Sequence, residues 1–251
     1  MEGSDKFSSE LIYGIHPILE ALEAGKSFDK IFILNTLKSA QVHEINAHAK
    51  SKKISLNRVP FEKLQKLTRN NHQGVVAFVS PIEFFDLDVI LRKIEFKEEV
   101  PFLLVLDRIQ DVRNFGALVR SAECAGVHAV VIPKKGAAHI SSETVKTSAG
   151  ALYNIPICKV AGIDNALEEI KAAGIKLVAC TEKFSENYTQ FNYDQPVAIV
   201  MGSEESGIAV SNIRKCDFKA GIPLLGKTES LNVSVAAGIL MYEVVKQRGL
   251  G

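Results

Sequence analysis

Short apolar runs and stretches of helical spacing alternate along the chain. Residues 30–34 and 75–79 read as strands, the second ended by Ser80-Pro81. Between them Val42, Ile45 and Ala49 recur at i, i+3 and i+7, one face of a helix. Ahead of both, Tyr13-Gly14 leads into His16-Pro17-Ile18-Leu19-Glu20-Ala21-Leu22, a helix with Pro17 near its start and Gly25 at its stop. Residues 1–80 therefore read as a small α/β domain. Residues 81–100 (PIEFFDLDVILRKIEFKEEV) are acidic, contain one amphipathic helix and read as a linker. Residues 101–251 open a second alternation, with strands predicted at 103–106, 129–132, 176–180, 197–201 and 218–222. Helices are predicted at 115–125, 165–173 and 231–247. Strands alternating with helices imply an α/β fold with a mostly parallel sheet covered on both faces. The sequence has no internal repeat and no low-complexity tract.

Composition narrows the class. Of 251 residues, 47% are hydrophobic and 24% charged, which excludes disordered, collagen-like and disulfide-scaffold chains. No apolar run approaches the ~18 residues of a membrane helix. The opening Met1-Glu2-Gly3-Ser4-Asp5 has no apolar core of a secretory signal. Cys124, Cys158, Cys180 and Cys216 form no C-x-x-C pair and are expected as reduced, mostly buried thiols of a cytoplasmic protein.

The net charge of +1 is uninformative, but its distribution is not. Residues 1–80 hold 11 basic and 8 acidic residues, whereas 81–100 hold 3 and 6. The basic excess is densest at Lys50, Lys52, Lys53, Arg58, Lys63, Lys66 and Arg69, with only Glu62 against it. Two readings stand side by side, a phosphate-backbone contact surface or a solvated lysine-rich helix face.

Three stretches carry candidate chemistry. In 106–120 an apolar strand ends at Asp107 and a helix begins near Phe115, the strand edge at which α/β folds bind ligands. Leu118, Ala122 and Ala125 make that helix's buried face, Asn114 is placed as its N-cap, and Arg120 points away from the core. In 199–207 a hydrophobic strand runs into Gly202-Ser203-Glu204-Glu205-Ser206-Gly207, whose two adjacent acids suit a neutral or cationic ligand better than a pyrophosphate. The spacing is that of neither a phosphate loop nor a dinucleotide fingerprint, since Ile208 follows where a lysine would be needed. In 222–237 a strand ends at Ile222 and a helix starts near Ser230. It has one apolar face of Val233, Ala237, Leu240 and Val244 and another of Val235, Ile239 and Tyr242, which suggests burial against the sheet and against a partner subunit. No G-x-S-x-G, H-E-x-x-H or metal-spaced Cys/His cluster is present, and no metal is expected.

Together these stretches resemble the SpoU/TrmH family of RNA ribose 2′-O-methyltransferases, within the knotted SPOUT superfamily. The motif N-x-G-x-x-x-R is Asn114 to Arg120, G-x-E-x-x-G is Gly202 to Gly207, and S-L-N-x-S-x-A is Ser230 to Ala236. The family often has Asp-Pro ahead of the first motif, where this chain has Asp111-Val112. Tyr13 to Leu22, His72-Gln73-Gly74-Val75-Val76-Ala77 and Lys146 to Leu152 are similar to RlmB-type enzymes, which methylate a guanosine ribose in 23S ribosomal RNA. The tRNA-methylating branch usually lacks the front domain.

The resemblance implies a C-terminal trefoil knot, which strand counting could not have suggested. It also implies S-adenosylmethionine as cofactor and a homodimer through the last helix. Carried over by position, Gly202, Ile222 and Leu231 would line the cofactor, and Asn114, Arg120, Glu204, Ser230 and Asn232 would form the catalytic shell. Lys52, Lys53, Lys66, His72 and Gln73 become the RNA-binding candidates of the front domain. Arg120 would act either as the base or as a cation that lowers the hydroxyl pKa and grips the adjacent phosphate. The alternatives are a tRNA guanosine methyltransferase and a non-catalytic RNA-binding dimer on the same fold.

Overall fold

The computed structural model describes residues 11–182 and 185–250, so the opening Met1–Asp5 segment lies outside it. The described residues fall into two units, those up to Glu83 together with Ile140–Glu143, and the remainder.

The first unit runs β1 (Leu11–Tyr13), α1 (Ile15–Glu23), β2 (Phe28–Leu34), α2 (Ala40–Ser51), β3 (Ser55–Val59), α3 (Phe61–Leu67) and β4 (Val75–Val79). Its sheet has the order β1-β4-β2-β3, with β2 parallel to β3 and antiparallel to β4. The helical periodicities of the sequence become its core: Ile18, Leu19, Ala21 and Leu22 of α1 and Val42, Ile45 and Ala49 of α2 are buried against Ile31, Ile33, Val75 and Ala77. Ser39 caps α2 by accepting from Val42 N at 3.2 Å. The basic cluster is not one helix face, because it is spread over the end of α2, β3 and α3.

The second unit runs β5 (Phe84–Phe85), α4 (Leu87–Phe96), β6 (Phe102–Asp107), α5 (Val112–Cys124), β7 (Ala129–Pro133), α6 (Ser142–Thr147), β8 (Ile157–Val160), α7 (Ile163–Ala172), β9 (Lys176–Cys180), β10 (Glu186–Asn187), β11 (Val197–Gly202), α8 (Val210–Lys215), β12 (Phe218–Gly221) and α9 (Val233–Gln247). Its strands lie in the order β10-β12-β9-β11-β6-β7-β8-β5, every described pairing parallel. β6 and β11 at its centre are buried along their whole length, as the continuous apolar runs FLLVLD and VAIVMG require.

Residues 84–100, read from the sequence as linker, belong to this unit. Phe84–Phe85 pairs with β8, and Leu87, Ile90 and Ile94 of α4 enter the core. Their spacing was visible, but the acids on the outer face of the same helix dominated the composition. Two helix starts also differ. α5 begins at Val112 and its N-cap is Asp111, whose carboxylate accepts from Asn114 N at 2.7 Å, so Asn114 sits inside the first turn. α9 begins at Val233 with Asn232 as its N-cap.

Candidate active site

Because the strands are parallel, the carboxyl ends of β6, β9, β11 and β12 share one edge, where open α/β sheets bind ligands. Asp107 ends β6 there, only 3% exposed. Its Oδ2 accepts from Ala209 N at 2.8 Å and Asn212 Nδ2 at 3.0 Å, and its Oδ1 accepts from Arg108 Nε at 2.9 Å. Arg108, in the left-handed region with φ 62°, donates onward to Gly207 O at 3.1 Å. One buried carboxylate and its neighbour thus hold both the end of the Gly202–Gly207 turn and the start of α8. The sequence shows Asp107 only as the end of a strand, and its role appears once residues about a hundred positions apart are in contact.

The turn held in this way carries Glu204. Asn232 Nδ2 donates to Glu204 Oε1 at 2.8 Å and to Asn114 Oδ1 at 2.9 Å. Val233 N also donates to Glu204 Oε1 at 3.4 Å, an acidic acceptor at the N-terminus of α9. The Asn232 Oδ1 caps the helix by accepting from Ser234 N at 2.9 Å and Val235 N at 3.4 Å. Three candidates from three motifs are therefore joined by a single amide. Arg120 is exposed on α5 and has no side-chain partner among the described residues. Ser230 is exposed on the loop before α9.

Beside this trio lies a cleft of roughly 610 Å³, lined in part by Gly202, Glu204, Ile222, Ser230, Leu231 and Asn232. Its volume is within the range of small-molecule sites. Glu182, Glu204, Glu205 and Glu229 contribute carboxylates, and among the described residues no lysine or arginine lines it; Met201, Ile208, Ile213, Ile222, Leu224 and Val233 supply apolar surface. That donor set would repel a phosphate and suits a cation with an apolar body. S-adenosylmethionine, with its sulfonium and adenosine, meets that description. Cys180 on the same wall is no nucleophile, since burial pushes its thiol up to about 12.

The motif glycines answer to backbone packing. A Cβ on Gly202 would lie 2.1 Å from both Gly207 C and Ile208 N, so the turn closes on itself only with glycine there. A Cβ on Gly116 would meet Thr147 Oγ1 at 2.0 Å, so this glycine lets α6 approach α5.

In the first unit, the RNA-binding candidates separate. Lys52 Nζ donates to Leu22 O at the end of α1. His72 is buried and its Nδ1 accepts from Gly74 N at 3.0 Å. Gln73 Oε1 accepts from Ile15 N at 3.3 Å and so caps α1, whose own N-cap, Gly14, has no side chain to do so. Lys53 is exposed in a left-handed turn, and Lys66 is exposed on α3. Arg58 Nη1 donates to the carbonyls of Leu34, Asn35 and Leu37. Lys52 and Arg58 of the basic cluster are thus occupied in holding the unit together.

Comparison with known proteins matches residues 101–242 to the SpoU rRNA Methylase family and residues 11–85 to the RNA 2′-O ribose methyltransferase substrate binding family. A Staphylococcus saprophyticus protein assigned to the TrmH family of tRNA/rRNA methyltransferases is 36% identical over 95% of this chain and 96% of its own length. The AdoMet-bound rRNA methyltransferase of Sinorhizobium meliloti superposes with a TM-score of 0.60 at 26% identity, over 94% of this chain and 86% of that one. The A. aeolicus TrmH/SpoU tRNA modifying enzyme does so at 0.55 and 29% identity, over 64% of this chain and 85% of that one. The parallel sheet, the acid-lined cleft and these likenesses define an S-adenosylmethionine-dependent RNA methyltransferase. The chain belongs to the SpoU/TrmH family and carries that family's substrate-binding domain at its front.

Proposed function

We propose that this protein transfers a methyl group from S-adenosylmethionine to a ribose 2′-hydroxyl of RNA, the substrate being a guanosine in 23S ribosomal RNA. The observation that carries the reading is the Asn114–Asn232–Glu204 link beside the acid-lined cleft. Bound S-adenosylmethionine supplies a methyl group activated on a sulfonium. Gly202, Ile222 and Leu231 would hold it through the cleft wall, with Glu204 as a nearby counter-charge. Asn232 fixes the Glu204 carboxylate and the Asn114 carboxamide relative to the start of α9, so that reacting groups meet in a set geometry. Arg120 acts as a cation: an exposed guanidinium without a side-chain partner among the described residues would grip a phosphate and stabilise the oxygen as its proton passes to water. Ser230, on the loop before α9, would contact the substrate.

Ribosomal rather than transfer RNA is favoured by the front domain, because the A. aeolicus tRNA modifying enzyme covers 64% of this chain whereas the S. meliloti rRNA methyltransferase covers 94%. The same reading includes the threaded knot, a homodimer and a cytoplasmic location. Val235 and Tyr242, about half exposed on a helix whose opposite face is core, support pairing through α9. Free cysteines support the location, and no helix among the described residues is long and apolar enough to cross a membrane.

Methylation of 23S ribosomal RNA and of tRNA transcripts with labelled S-adenosylmethionine, followed by mapping of alkali-resistant linkages, tests the proposal. A resistant guanosine linkage in 23S RNA is expected. Label only in tRNA would transfer the protein to the sister activity, and label on a base would overturn the ribose assignment.

A further inference from the structure

In the first unit, α3 and the chain returning from it to β4 form a lobe that closes on itself. α3 starts at Phe61, and residues 68–74 bring His72 back against it, with ring centroids 5.5 Å apart and planes tilted by 51°. The return is pinned at several points: Asn70 Nδ2 donates to the Tyr13 hydroxyl at 3.0 Å, His72 Nδ1 accepts from Gly74 N, and Gln73 Oε1 accepts from Ile15 N. One side of Phe61 therefore rests on a fixed, buried imidazole. The rest of it is open: Phe61 is 48% exposed, the only exposed large hydrophobic among the described residues of this unit.

A lone exposed phenylalanine needs no explanation, but its charged surroundings call for one. Residues 60–73 carry Lys63, Lys66 and Arg69 against Glu62. All three cations are exposed, with no side-chain partner among the described residues, unlike Lys52 and Arg58. Of the cluster members with no side-chain partner among the described residues, Lys63, Lys66 and Arg69 lie together on the Phe61 lobe, and Lys50 lies apart at the end of α2.

We propose that Phe61 is a stacking platform for an unpaired RNA base, with Lys63, Lys66 and Arg69 receiving the phosphates around it. The inference rests on the reading of the protein as an RNA methyltransferase and narrows the substrate to RNA that presents an unpaired loop. An aromatic face beside cations is how proteins hold single-stranded RNA, whereas a continuous duplex keeps its base faces stacked away.

The test uses the full chain and two labelled RNAs of equal length, a hairpin with an unpaired loop and a blunt duplex, in binding titrations across salt concentrations. Phe61→Ala is expected to weaken hairpin binding about tenfold, leave duplex binding within about twofold and leave the salt slope unchanged. Phe61→Trp should restore hairpin binding. Lys63→Gln, Lys66→Gln and Arg69→Gln together should reduce the salt slope by about 2. S-adenosylmethionine binding and the thermal midpoint, unchanged in every variant, would show that the fold is intact. Wild-type affinity in Phe61→Ala, or equal loss for hairpin and duplex, overturns the platform. A wild-type protein that binds neither RNA and methylates none overturns the RNA-enzyme reading itself, which separates the two failures.

Discussion

The side-chain amide of Asn232 donates to Asn114 Oδ1 at 2.9 Å, joining residues 118 positions apart, and its second donor contact reaches Glu204 at 2.8 Å. The oxygen of the same amide caps α9. Cap and bridge can be separated, because aspartate caps a helix as well as asparagine but cannot donate. Asn232→Asp should leave thermal stability within about 1 kcal/mol yet place a carboxylate against Glu204, lowering methyl transfer about ten- to a hundredfold. Calorimetric unfolding and turnover on one preparation check this. Equal losses in both would show that Asn232 serves only as a cap.

Arg120 makes the opposite case, since its exposure removes any packing role. Arg120→Ala should leave unfolding within about 0.5 kcal/mol and S-adenosylmethionine binding near wild type, while methyl transfer falls below detection. Arg120→Lys should fail as well, because a point ammonium does not reproduce a planar fork. Normal turnover in the alanine variant would remove Arg120 from the mechanism.

Asp107 touches none of the Asn232 trio, yet it fixes the turn that carries Glu204. Asp107→Ala strands the Asn212 amide and the Ala209 N–H in a buried site, costing about 2–3 kcal/mol of stability. It should also raise the KM for S-adenosylmethionine more than it lowers kcat, since the loosened turn forms a wall of the cleft. A kcat loss with an unchanged KM would argue for a direct chemical role.

Which of these features a reader of the sequence can see depends on their range. Asn114, Glu204 and Asn232 stand at strand ends in recognisable local patterns, so they were legible one at a time; their meeting was not. The Asp107 clamp spans about a hundred residues and leaves no local trace. β8 (ICKV) and β3 (SLNRV) are short and interrupted by polar side chains, so their periodicity is too weak to separate from loop. Charge counting finds the basic cluster but cannot tell Lys52 and Arg58, which face backbone carbonyls, from Lys63 and Lys66, which face solvent.

Gly202 has a steric reason to be glycine that is independent of any ligand. Gly202→Val would drive its side chain into Gly207 and Ile208 and displace the turn carrying Glu204. Binding of S-adenosylmethionine should be lost, with RNA binding largely kept if the front domain is the recruiting module. Parallel loss of both, with a lowered unfolding midpoint, would instead mean that the sheet edge had collapsed.

The division of labour between the units is tested by where the chain is cut. A chain beginning at Val100 would lack Leu87, Ile90 and Ile94, each contributing about 1.5–3 kcal/mol of burial to the second unit, and should be unstable. A chain beginning at Phe84 keeps them and should fold and bind S-adenosylmethionine. It should lose most affinity for ribosomal RNA and show a shallower salt dependence, by about 0.7–0.9 for each phosphate contact removed. Sedimentation, cofactor titration and RNA binding across salt concentrations measure these three properties. Methylation of ribosomal RNA by the cut chain as efficient as that of the whole protein would show that the front domain does not recruit the substrate, and would move the assignment towards the tRNA-modifying branch of the family.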